Sequence, residues 1–330
     1  MGPQQLTRRR GITWLAVALL LVAAEARAQV VFEVVGERAL GMGGAFVAVA
    51  NDATAAHWNP AGLVHGQPAG VTIGWQRFQT GKRNLPPYGG PALETGSFTS
   101  LGTWPLGVSY GRFQTTSLVT RDDGSVGAVS LRTNQYAVSV LQTIVDGLVV
   151  GSTLKYVRGT VASGPIDGPT VAEALREGSE LEADTNGAFD LDVGVMADFQ
   201  KVRVGLTLKN LTAPEFGPVA ESAIALQRQV RLGVALLPTD GLTLAIDLDL
   251  DTVDLRDGLR RMIAIGGESR LGRRLSLRSG LRWSLEGSRQ LVGAVGGSVS
   301  LRSGFWLDGH YSQGRQVDDR GFGVALRAGF

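Results

Sequence analysis

The chain has no cysteine among its 330 residues. Disulfides, thiolate metal ligands and cysteine nucleophiles are therefore all unavailable to it. Histidine is almost as scarce. His57, His65 and His310 are the only three, and they are too scattered for a zinc site or a serine–histidine–acid triad. A strong charge of one sign is also lacking. The formal net charge is +2, but four of the 32 basic and one of the 30 acidic residues fall in the first 28 positions, which leaves 28 basic against 29 acidic beyond them. A chain so balanced carries no electrostatic footprint for nucleic acid. After residue 28 no apolar run reaches the roughly 18 residues that a membrane-spanning helix needs, so a helical membrane protein is excluded. No enzyme, resident metal or cofactor is expected.

What remains abundant is glycine, with 46 residues, and short apolar alternation. The first 28 residues read as a secretory signal peptide. Arg8, Arg9 and Arg10 form its charged start, Trp14 to Ala24 its apolar centre, and Ala26-Arg27-Ala28 its small-residue cleavage site. The apolar centre is too short to span a bilayer. Residues 29–68 form a second unit, an N-terminal plug segment rich in glycine and alanine. Residues 69–330 form a third, in which apolar residues recur at period two, the spacing of a strand and not of a helix.

The clearest run is Leu242 to Asp251, where Leu242, Leu244, Ile246, Leu248 and Leu250 alternate with polar or small residues. Segments of this kind lie near 70–80, 95–104, 106–115, 133–143, 148–158, 187–199, 202–211, 228–237, 241–251, 261–270, 274–285, 291–302, 305–314 and 320–330. About fourteen such strands, joined alternately by tight turns and longer loops, predict an all-β fold: a closed antiparallel outer-membrane β-barrel. The long connection 159–186 is expected to carry a helical turn at 170–177. The last strand, ending on Phe322, Val324, Leu326, Ala328 and Phe330, has the form read by the barrel-insertion machinery, a predicted partner. Trp75, Tyr110, Tyr136, Tyr156, Trp283 and Tyr311 are candidates for interfacial girdles facing outer-membrane lipid.

With the apolar faces toward lipid, the opposite faces line the lumen. The candidate charge network there comprises Asp190, Asp192, Asp247, Asp249, Glu268, Arg278, Arg282, Asp308 and His310, with Asp198, Lys155, Arg203, Lys209, Arg231, Arg302 and Arg327 on the same faces. His310 is expected to hydrogen-bond Asp308. Acids and bases nearly balance, which predicts ladders that hold the plug and not the lopsided wall of an ion-selective pore.

Gly36 to Leu63 reads GERALGMGGAFVAVANDATAAHWNPAGL. Gly41, Gly43 and Gly44 permit close backbone approach. Asp52 can N-cap a turn over Ala53 to His57, and Pro60 biases Asn59 away from helix and ends it. The pattern G-x-R-x-x-G-M-G-G-A, then N-D-A-T-A-A, then W-N-P-A-G-L, resembles the start of the FadL-type outer-membrane transport proteins, especially their PorV/PorQ-like branch. The resemblance implies a 14-stranded barrel in a Gram-negative outer membrane, with the N-terminal segment in its lumen. It further implies passive transport of hydrophobic small molecules, gated by a plug to which Arg38, Gly41, Gly43, Gly44, Asp52, Asn59, Pro60 and Ala61 contribute. The alternative it carries is a PorV-like non-transport component or scaffold working with secretion-system proteins.

Three motif matches fail on context. Gly107-Val108-Ser109-Tyr110-Gly111 fits a nucleophile elbow but lies inside an alternating strand. Asp247-x-Asp249-x-Asp251 lacks both the glycine and the bidentate acid of an EF-hand loop. Gly41-Met42-Gly43-Gly44 has Phe46 where a dinucleotide fingerprint needs its last glycine.

Overall fold

The computed structural model describes residues 35–80, 91–121, 123–217, 223–255, 258–287, 291–315 and 319–330. The expected signal peptide and the first residues of the expected plug segment lie outside them. The strands are β1 (Ala69–Thr80), β2 (Ala92–Thr103), β3 (Leu106–Thr120), β4 (Val126–Val145), β5 (Leu148–Pro165), β6 (Thr185–Phe199) and β7 (Val202–Lys209). They continue with β8 (Glu215–Phe216), β9 (Ile224–Ala225), β10 (Gln229–Thr239), β11 (Leu242–Asp249), β12 (Val253–Leu255) and β13 (Gly258–Arg260). The last five are β14 (Met262–Leu271), β15 (Leu275–Ser284), β16 (Leu291–Arg302), β17 (Phe305–Gly314) and β18 (Arg320–Gly329).

Fourteen of these close an antiparallel barrel, while β8–β9 and β12–β13 are separate two-stranded ribbons in its loops. The seam joins β1 to β18, with Ile73 opposite Leu326. Ala69 and Phe330 complete it by exchanging both backbone hydrogen bonds, at 3.2 and 2.9 Å. Pairing first strand to last leaves no open edge for another chain to add to. Each of the fourteen expected segments corresponds to one barrel strand, several of them overrunning it by one or two residues, as 202–211 overruns β7 and 241–251 overruns β11, and the short turns all sit at one end.

The period-two pattern maps onto two faces. On β11, Ile246 is 40 % exposed while its neighbour Asp247 is 1 % exposed. The exposed set across the wall is a band of Leu, Val, Ile and aromatic side chains. On β4 this band runs from Tyr136 to Val145, about 33 Å along the strand and about 25 Å of height at a typical tilt.

The strands differ from expectation in length. β3 to β6 run 15 to 20 residues, whereas β7 and β11 have eight each. Beyond the apolar band, β3, β4 and β5 continue as a wall whose outward face is covered by helix α3 (Val171–Glu180). Leu93, Leu118, Ala128 and Ile166 pack there against Ala174 and Leu175 of α3. Thr170 caps this helix by accepting from Glu173 N at 3.3 Å. With one face no longer meeting lipid, the alternation that marks a membrane strand fades, which is why the sequence pattern stopped short.

Inside the barrel lies the N-terminal segment, with helices α1 (Glu37–Gly41) and α2 (Ala55–Trp58) and a 3₁₀ turn at Pro60–His65. Met42, Ala45, Phe46, Val47, Ala48, Trp58 and Ala61 are wholly buried there.

Candidate functional site: the filled lumen

The enclosed segment needs small residues because it lies directly against the inner wall. Gly41 meets Gly296 of β16, where an added Cβ would stand 3.1 Å from the Gly296 Cα. Gly43 has φ +70°, and a Cβ there would stand 2.8 Å from Leu281 N on β15. Gly44 also has a positive φ.

Polar side chains tie the segment to the wall on several sides. The Asp247 carboxylate of β11 accepts from Phe46 N and Val47 N, both at 2.8 Å. Arg38 donates to both oxygens of Glu268 on β14, at 2.8 and 2.7 Å, and also to Asn51 and Asp52. Burial alone would favour a neutral Arg38, but Glu268 and Asp52 hold its guanidinium above the ordinary value, so it stays charged. Thr207 of β7 donates to Trp58 O at 2.9 Å, and the Trp58 indole donates to Val35 O at 2.9 Å.

Asn59 bonds on two sides. Its side-chain oxygen accepts from Ala61 N at 3.2 Å. The amide nitrogen, however, donates to Val47 O and to Val195 O of β6, both at 3.1 Å, so the residue also pins the segment to the barrel. Its extended backbone, φ −162°, ends α2 ahead of Pro60 as anticipated. Asp52 opens the turn that begins at Ala53: its carboxylate accepts from Thr54 N and Thr54 Oγ1 and its carbonyl from Ala55 N, while the regular helix starts only at Ala55.

The wall charges fall into separate groups. Glu268, Arg278, Ser298, Asp308 and Arg327 form a chain across β14 to β18. Its links include Arg278 Nε to Glu268 at 2.5 Å, Arg327 Nε to Asp308 at 2.9 Å, and Ser298 bridging Arg278 and Asp308. Lys155 is buried between Asp190 at 2.8 Å and Asp192 at 2.6 Å. Arg231 pairs with Asp249 at 2.6 Å, and Asp249 also accepts from Met262 N. Arg203 pairs with Asp198, and His65 lies 3.7 Å from the same carboxylate. Burial and the neighbouring Arg203 push the His65 imidazole down to about 4, against the pull of Asp198.

His310 stands apart from the expected network. His310 is not bonded to Asp308. The two lie two residues apart on β17, Asp308 is taken by Arg327 and Ser298, and His310 Nδ1 has no hydrogen-bond partner. Arg282 stacks over Phe78 at 5.6 Å. Arg302 is likewise outside the network, exposed beyond an irregularity in the β16–β17 register.

Sequence reading missed the outer half of the lumen. There the inner wall turns apolar through Phe98, Phe113, Leu131, Val157 and Val161, and the β8–β9 ribbon inserts Phe216, Ile224 and Leu226 against it. The signal was present: Phe113, Val157 and Val161 occupy the same strand parity as Ser109, Lys155 and Gly159. At the opposite end, the short-turn end, an open cavity of about 890 Å³ is lined by Arg270, Arg273, Arg327, His65 and Trp306 among others. Among the described residues no group of three or more histidine or acidic side chains could hold a metal ion.

Residues 104–249, less than half of the chain, match the family described as "F plasmid transfer operon, TraF, protein". No curated protein matches the sequence. The fold is similar to that of the CymD monoaromatic hydrocarbon channel, with 15 % identity, TM-score 0.64 and coverage of 90 % of this chain and 98 % of that one. It is also similar to a Pseudomonas aeruginosa FadL homologue, with 12 % identity, TM-score 0.62 and coverage of 92 % and 100 %. The Ralstonia pickettii toluene transporter TbuX matches with 14 % identity, TM-score 0.60 and coverage of 91 % and 99 %. The fold is thus the one these channels share.

Proposed function

We propose that this chain is a FadL-type barrel of the Gram-negative outer membrane, exported by a cleaved signal peptide. It conducts hydrophobic small molecules passively and catalyses no reaction. The observation that carries the proposal is the apolar inner wall at the outer half of the lumen, from Phe98 to Val161. An aqueous pore has no use for such a lining, whereas an uncharged apolar solute that takes the place of Phe216, Ile224 and Leu226 against it is stabilised by roughly 25 cal/mol per Å² buried. Neighbours named as hydrocarbon channel and toluene transporter support that substrate class. The N-terminal segment acts as the plug and gate. Arg38, Asp52 and Asn59 lock it, Gly41, Gly43 and Gly44 let it pack, and Pro60 and Ala61 shape its last turn. The strand ending at Phe330 engages the insertion machinery.

Reconstituted vesicles should take up labelled toluene faster with the protein than without it. Uptake equal to that of protein-free vesicles overturns the transport reading. A second reading, a PorV/PorQ-like scaffold for secretion-system proteins, draws on the match to a transfer-operon family and on the filled lumen. It predicts no uptake together with an exported protein retained on the folded barrel.

A further inference from the structure

The lipid-facing side of β3 to β6 carries a row of four aromatics at one height. Tyr110 is the register partner of Tyr136, Tyr136 of Tyr156, and Tyr156 of Phe189. Ring centroids lie 5.1 Å apart in the first pair and 5.2 Å in the last. One step outward on the same faces come Arg112, Asn134 and Arg158, again register partners across β3, β4 and β5. Tyr110 donates to Asn134 Oδ1 at 3.0 Å and so joins the two rows.

The two arginines are exposed and, among the described residues, neither has an ion-pair or hydrogen-bond partner. A third, Arg132, stands one further step out, but its guanidinium is committed to Ser179 O at the end of α3 and to Gln114. The acidic group that acts on it is Glu182. Exposed cations left unpaired immediately above an aromatic girdle lie where lipid headgroups begin. Arg112 and Arg158 are separated by two strand spacings, about 10 Å, so their long side chains can close on one anion above Asn134.

We propose that this patch is a binding site for the phosphate of a lipid in the outer leaflet. The acyl chains lie along Tyr110, Tyr136, Tyr156 and Phe189, and the phosphate sits between Arg112 and Arg158 below α3. Charge complementarity and depth select the occupant: the row beneath is apolar and fits chains, the row above is cationic and fits a phosphate. The inference rests on the outer-membrane reading.

The test is native mass spectrometry of the detergent-extracted barrel titrated with diphosphoryl lipid A, with heat-modifiable gel migration as the check of folding and membrane origin. Each arginine facing an anionic headgroup is worth about a factor of 5. The double variant Arg112→Gln/Arg158→Gln should therefore raise half-saturation roughly 30-fold, and phosphatase-treated lipid A should bind the wild type as weakly as that variant binds the intact lipid. Arg273→Gln/Arg274→Gln, at the opposite end, should leave binding unchanged. Equal affinity in wild type and double variant, equal affinity for the dephosphorylated lipid, or displacement by excess inorganic phosphate would each overturn the proposal. Recovery of the protein as a soluble, non-heat-modifiable species would instead overturn the membrane reading beneath it.

Discussion

Glu37 is the residue most at odds with its surroundings. It lies on α1, 1 % exposed, with Oε2 lacking any hydrogen-bond partner, and an added Cβ on Gly74 would stand 2.9 Å from that oxygen. Burial pushes its carboxyl up to about 8, with Asp308 and Asp52 adding repulsion and its own backbone N–H opposing. A raised pKa means that the enclosed state favours the protonated acid. Its contribution to holding the segment is complete below the ordinary 4.5 and disappears as pH rises through about 8. Conductance in planar bilayers should therefore increase from about pH 5 to about pH 8 in the wild type, level off above that, and stay flat throughout in Glu37→Gln. Identical profiles would show that this carboxyl does not govern the segment. Nothing in the sequence singled out Glu37. The signal of a buried acid is its neighbours, and those of Glu37 include Gly74 on β1 and Asp308 on β17, far apart in the chain.

At the scale of elements, the N-terminal segment and the wall make separable predictions. Gly43→Val forces a β-branched residue into a left-handed backbone and drives Cβ into β15, at a cost of roughly 1–3 kcal/mol or more. Because the clash falls on the segment, the barrel should refold normally by circular dichroism while conductance rises. An unchanged conductance in the folded variant would separate the segment from gating. On β11, Ile246→Arg places a charge near the middle of the lipid face and should cost about 2–4 kcal/mol in a refolding titration. Thr243→Arg, on the inner face opposite Glu268, should cost less. Equal midpoints would mean that the faces are assigned backwards. The sequence specified these faces well, since alternation is a local property of β11 that needs no knowledge of its neighbours. It could not specify which polar groups meet. That Asp247 holds Phe46 and Val47 while Asp249 holds Arg231 depends on register across β10, β11 and the enclosed segment.

For the molecule as a whole, the fold was legible because the membrane imposes one rule on every strand: apolar outward, polar or small inward. Where that rule lapses the reading lapsed with it. Leu118 and Ala128 face outward yet meet α3 in place of lipid, and Phe216 reaches the lumen from a loop that carries no periodic pattern. The unequal strands also set how the barrel sits in its surroundings. β4 offers an apolar height of about 25 Å, while the eight residues of β7 or β11 reach only about 20 Å at the same tilt. A fluid film yields more readily than a hydrogen-bonded wall. The bilayer therefore thins beside β7 to β11 and relaxes beside β4, at a cost of fractions of a kcal/mol per Å of mismatch. The elastic strain around the perimeter thus has a direction. Shorter acyl chains will gather on one flank, and a second barrel approaching from that flank relieves a deformation that one approaching from the other does not.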